Sequence, residues 1–163
     1  MPPSTTHPSF GPNQSVGQSK PEVSLNTKTA TGFSVSLVYA RKYKGKMLSN
    51  DEGWKNTKGE CATGVQYVFY KAGNPIGKTS TWKRGILVKG NNIAPGTAIA
   101  SFDSDGKYAN DHAAILVEET KEGLVVWDQF NNPKKIWATR TLKFSKNNTD
   151  RSNNGNLFYV IVK

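Results

Sequence analysis

Cysteine is nearly absent from this chain of 163 residues, and Cys61 is the single one. That excludes an intramolecular disulfide and any zinc site built from several cysteines, leaving one thiol for packing, chemistry or intermolecular pairing. Histidine is almost as scarce, with His7 near the N-terminus and His112 in the interior. Acidic residues are outnumbered, 12 against 22 Lys and Arg, for a formal charge of +10. Such an imbalance attracts a polyanion, whether nucleic acid, an anionic membrane surface or a bacterial envelope, and does not choose among them. No apolar run approaches the roughly eighteen residues of a transmembrane segment, and the N-terminus lacks the basic-then-apolar layout of a secretory signal. Export is therefore expected to use another route.

Residues 1–31 are rich in Pro, Ser, Thr, Gly and Asn and hold almost nothing to bury, which reads as a tail or linker. His7 lies in it and is a poor candidate for precise chemistry. Residues 32–163 are long enough for one domain with a real core. Its first stretch, FSVSLVYARKY, fits either a strand or a short helix. KGKMLSNDEGWKNTKGE is polar and glycine-punctuated, a surface loop in which Trp54 is an expected anchor.

From Glu60 to Ala72 the spacing of Val65, Val68, Phe69 and Ala72 predicts a helix with one apolar face, stopped by Gly73. AGNPIGKTSTWKRG reads as a loop in which Trp82 is a candidate to face a substrate. Short strands are expected at 97–102, 112–118, 123–129, 136–142 and 157–162, each bounded by turn residues. A helix followed by an antiparallel meander is an α+β plan, the helix packed on one face of the sheet.

Cys61 falls in the first turn of the predicted helix, four residues before Val65 and on the same side. A thiolate, not a thiol, attacks carbonyl carbon, and an ordinary cysteine is mostly protonated at neutral pH. The unpaired N–H groups of a helix start and a neighbouring imidazolium both lower a thiol pKa. His112 opens a strand 51 residues later, and Asp128 stands near the end of the next strand. A turn at Lys121 to Gly123 brings the far ends of those strands together, so that Asp128 reaches His112 and holds its tautomer. Gln129 and Asp111 point the other way in regular strands. The competing reading makes Cys61 a small apolar core residue, His112 a satisfied strand-end histidine and Asp128 a turn or ion-pair residue. Tyr43, Trp54 and Trp82 line a cleft or simply pack.

The motifs GECATGVQYV and NDHAAILVEE, with a polar third residue on the following strand, resemble the papain-like cysteine peptidase and amidase superfamily of bacterial cell-wall enzymes, which includes the NlpC and CHAP groups. The set GEC, TSTWKRG, KGNNIAPGTAIASF, NDHAAILV and VWDQF resembles its small type VI secretion amidase effectors. The resemblance implies a papain-like (NlpC/CHAP-type) α+β fold with nucleophile Cys61, base His112 and orienting Asp128. It implies a peptidoglycan amidase or endopeptidase with no cofactor or metal, and an antibacterial effector. Such a protein is cytoplasmic in its producer, then acts in the periplasm or cell wall of a target bacterium. Its expected partners are peptidoglycan, a cognate immunity protein and a secretion-system component. A cysteine-dependent acyltransferase is the alternative enzyme. A non-catalytic basic module for wall polymer or nucleic acid is the alternative outside catalysis, although the basic runs KYKGK, TWKRG and PKKIW are too dispersed for a nucleic-acid surface.

Overall fold

The computed structural model describes residues 32–49, 60–131, 133–146 and 150–163, with the side chains of 109–111 excepted. Two α-helices, two single-turn 3₁₀ helices (Thr79–Thr81 and Gly155–Leu157) and six strands are present there: α1 (Leu37–Lys42), α2 (Cys61–Lys71), β1 (Lys83–Leu87), β2 (Ala98–Phe102), β3 (Tyr108–Glu119), β4 (Gly123–Phe130), β5 (Lys135–Lys143) and β6 (Phe158–Val162). The expected tail, the Trp54 anchor and most of the loop around it lie outside the described residues.

FSVSLVYARKY uses both of its options. Ser34 makes an isolated antiparallel bridge to Thr97, and two residues later Ser36 caps α1 by accepting from the Val38 N–H. The cap explains why the alternating pattern stops. α2 follows the predicted apolar spacing, burying Val65, Val68 and Phe69 completely, each contributing about 2 kcal/mol. Gly73 ends it at φ +77, with Asn74 N–H donating to Phe69 O and Gly73 N–H to Tyr70 O. That pair of bonds is the glycine stop the sequence announces.

The sheet is antiparallel throughout, in the order β1-β6-β2-β3-β4-β5. The meander expectation holds from β2 to β5 and fails at the ends. β6 does not follow β5 but inserts between β1 and β2, and β1 occupies a stretch read as loop. KRGIL conceals a strand because it is short, charged and interrupted by Gly85, features that suit a sheet edge. Gly85 is needed there, since a Cβ would stand 2.8 Å from Val160 O.

Both faces of the sheet are covered. α2 lies over Ala98, Ala100, Ala113, Ile115, Trp127 and Trp137, with Trp127 stacked on Trp137 at 6.3 Å. The opposite face buries Ile99, Ala114, Leu116, Val126, Leu142 and Phe158. The alanines beneath α2 and Gly64 within it permit a close helix-to-sheet approach. A Cβ on Gly64 would meet Trp137 Cζ3 at 2.8 Å and Gln129 Cδ at 2.9 Å.

Candidate active site

Cys61 is the first residue of α2, and Glu60 before it is extended and gives no side-chain cap. The N–H groups of the first turn therefore face outward without helical partners, and their dipoles favour negative charge at the sulfur. The thiol is half-buried.

His112 arrives from β3. Between the pairs Ala100↔Ala113 and Phe102↔Tyr108, two steps along β2 face five along β3, so β3 bulges just before His112. Bulges re-aim side chains. Ser101, wholly buried, fixes the histidine backbone by accepting from its N–H and donating to its carbonyl. Edge contacts with Phe130 and Phe158, at 6.0 and 6.1 Å, hold the ring. Alternation places His112, Asp128 and Arg140 on the face away from α2. The thiol and the imidazole thus come from opposite faces and meet at the bulge.

Asp128 is fully buried, and its Oδ2 lies 2.7 Å from His112 Nε2. The same oxygen accepts from Arg140 Nε at 2.7 Å. Arg140 Nη2 also comes within 3.3 Å of His112 Nε2, but a guanidinium only donates. The carboxylate between them assigns the proton to Nε2, leaving Nδ1 as the ring atom that serves the thiol. Arg140 continues outward to Asn153 Oδ1 at 2.6 Å, and Asn153 donates to Asp150. Its guanidinium also covers the Phe130 ring. Removing one member of a buried ion pair costs about 3–5 kcal/mol.

Burial pushes the Cys61 thiol up. The hydrogen bond and charge of His112 outweigh that push, helped by the Tyr108 hydroxyl and the Ala113 N–H, and the thiol titrates below its ordinary value. Burial likewise disfavours the imidazolium, but Asp128 and then Cys61 overcome it and push His112 up to about 9. The two shifts are mutual, each group favouring the charged form of the other, so their titrations are shared.

Three further residues shape the site without having been singled out for it. Tyr108, at the start of β3, places its hydroxyl 3.6 Å from Cys61 Sγ. Arg140 is one of many basic residues in sequence and acquires its meaning only through pairing of β5 with β4. Gln129 does point away from Asp128, as expected, and the structure shows what it holds. Its Oε1 accepts from Leu48 N–H at 2.8 Å, and its Nε2 donates to Leu48 O and to Glu60 O, both at 3.0 Å. It therefore fixes the residue before Cys61.

Of the two readings left for the aromatic residues, the structure favours packing at Tyr43 and Trp82. Trp82 is not substrate-facing: it is 2% exposed, donates from Nε1 to Ile76 O, and packs edge-on behind Tyr108 at 5.1 Å. Tyr43 is buried against Tyr67, within the core beneath α1. Among the described residues no cluster of His, Cys, Asp or Glu is arranged to hold a metal ion, and no helix is long and apolar enough to cross a membrane.

The family model described as domesticated amidase effector 2 matches residues 25–161. The chain belongs to that family. A type VI secretion amidase effector 2 protein of Salmonella typhi is 40% identical over 62 residues, covering 35% of this chain and 46% of that protein. The chain thus spans under half the length of the Salmonella relative. The domesticated amidase effector 2 of Ixodes scapularis is 38% identical over 108 residues, covering 64% of this chain and 71% of that one. A solved structure of a type 6 secretion amidase effector 2 superposes with a TM-score of 0.62 at 24% identity, over 80% of this chain and 95% of the other. That likeness carries the α+β fold, in which the helix bearing Cys61 packs on the six-stranded antiparallel sheet.

Proposed function

We propose that this member of the amidase effector family is a peptidoglycan amidase or endopeptidase of papain-like design, with Cys61 as nucleophile, His112 as base and acid, and Asp128 as the residue that orients His112. The observation that carries the reading is a buried carboxylate that holds one ring nitrogen of His112 at 2.7 Å, in a ring electrostatically linked to a thiol at a helix start. In this mechanism the Cys61 thiolate attacks the amide carbonyl carbon and the oxygen becomes an oxyanion. The Cys61 N–H at the helix start and the Tyr108 hydroxyl are the donors placed to receive it. The His112 imidazolium gives its proton to the leaving amine as the C–N bond breaks. The neutral ring then takes a proton from water, whose oxygen displaces sulfur from the thioester.

Arg140 keeps the Asp128 carboxylate in register with the ring throughout this cycle. The positive surface suits a polymer bearing free carboxylates. The relatives' names support use as a secreted effector; action on bacteria and a neutralising partner in a susceptible producer belong to this proposal. Digestion of defined muropeptides by wild type and by Cys61→Ala, read by mass spectrometry, tests the activity. Cleavage by wild type alone is expected, and the fragments name the bond. Folded wild-type protein that leaves crosslinked and uncrosslinked substrates intact overturns the proposal.

A further inference from the structure

Tyr108 separates the reactive sulfur from a second feature. Beside it opens a cleft of about 720 Å³, walled by Lys83, Arg84, Asp105, Lys107 and Tyr108, together with Thr79 and Ser80. The cleft has three cationic side chains and one carboxylate. Lys83 and Lys107 oppose each other across an antiparallel bridge, a placement that is destabilising for like charges unless an anion lies between them. Asp105 does not neutralise them, for it meets only Lys107, at 3.9 Å, with both side chains largely in water. Among the described residues neither Lys83 nor Arg84 has a carboxylate within ion-pair distance.

Arg84 is nonetheless held in place. Its Nη1 donates to Asp103 O at 3.2 Å, and its guanidinium lies over the Tyr159 ring at 5.4 Å. A fixed fork of N–H donors beside two ammonium groups fits a carboxylate. Tyr108 joins this cleft to the nucleophile, since its ring lines the wall while its hydroxyl reaches Sγ.

We propose that Lys83, Arg84 and Lys107 form a carboxylate-binding subsite that seats a free carboxylate of the peptide stem beside the amide being cut. The inference rests on the amidase reading above and adds the chemistry of its substrate. The test compares muropeptides whose stem carboxylates are free with the same muropeptides converted to carboxamides. Wild type is expected to lose about tenfold or more in kcat/KM on amidation, the usual scale for a charge-assisted contact. The Lys83→Gln/Arg84→Gln/Lys107→Gln variant is expected to raise KM for the acid form and to treat both forms alike. Lys134→Gln/Lys143→Gln, which removes charge at the opposite edge of the sheet, is expected to keep the wild-type preference.

Equal cleavage of acid and amide by wild type overturns the subsite and leaves the amidase reading standing. So does a remote variant that loses the preference as fully as the cleft variant, because the effect would then be general charge attraction. If wild type cuts neither form, the amidase reading fails. The subsite is then decided by calorimetry with Cys61→Ala, where equal binding of the two forms overturns it and selective binding of the acid, lost in the cleft variant, supports it.

Discussion

Asp128 and Gln129 are neighbours on β4, both completely buried, and they serve opposite faces of the sheet. Asp128 works through charge, bonding the imidazole and a guanidinium with one oxygen. Gln129 works through neutral hydrogen bonds, fixing backbone at Leu48 and Glu60 on either side of residues 50–59. In the proposed mechanism a single peptide step thus orients the base on one side and places the thiol on the other. The comparison separates two requirements that a cysteine hydrolase must meet together, a correctly charged base and a correctly placed nucleophile.

The largest effect is expected from Asp128→Ala. It leaves Arg140 partly buried without its carboxylate and should cost about 3–5 kcal/mol in urea unfolding. The milder Asp128→Asn should remain folded, lower kcat and move the basic limb of the pH–rate profile downward from about 9, because the chief support of the imidazolium is gone. An unchanged basic limb would remove Asp128 from the support of the His112 imidazolium.

Gly64→Ala should come next. Ala gains about 1 kcal/mol in helix propensity over Gly, but its Cβ would collide with Trp137 and Gln129, and such overpacking costs about 1–3 kcal/mol. A net loss of stability, together with reduced kcat, is expected because α2 carries Cys61. Gln129→Ala should cost about 1–3 kcal/mol by leaving buried backbone groups unpaired. Unlike Asp128→Asn it should lower kcat without shifting the pH limbs. A shifted limb in Gln129→Ala would dissolve the distinction between the two neighbours.

The smallest effect concerns pH and stability. His112 has a folded pKa raised from 6.5 to about 9, so its contribution is complete below 6.5 and is lost as pH rises through 9. The thiol has a lowered folded pKa, so its contribution is complete above its ordinary value of 9.0 and is lost as pH falls through the folded value. The two slopes oppose each other where the windows overlap, since folding moves a proton from sulfur to imidazole without net uptake. Wild-type urea midpoints should therefore change little between pH 7 and 8.5. Cys61→Ala removes the opposing slope, and its midpoint should fall over that range; parallel curves would refute the shared proton.

Much of the candidate site was legible because it is local. The helix from Cys61 is written in apolar spacing and a glycine stop, and the β3–β4 hairpin in alternation around the Lys121 to Gly123 turn. Those two elements suffice to bring His112 to Asp128. Arg140 was not legible, because its register with Val126 follows from long-range pairing and not from any pattern in its own strand. β1 was missed for a related reason: an edge strand tolerates the charges and glycine that disguise it. Trp82 stayed open between cleft and packing because a tryptophan beside lysines can do either, and only its bond to Ile76 O and its contact with Tyr108 decide for packing.

The sequence by itself determined the limits of the chemistry: one thiol, one histidine outside the N-terminal segment, a strongly positive chain, and the helix and hairpin that carry Cys61, His112 and Asp128. These follow from composition and short-range periodicity, which need no knowledge of distant contacts. Only the tertiary structure decided that the thiol and imidazole approach from opposite faces at a bulge, that Arg140 joins His112 on one oxygen of Asp128, and that three cations gather in the cleft beyond Tyr108. Those arrangements depend on which strands become neighbours, and that is set by burying both faces of one sheet at once.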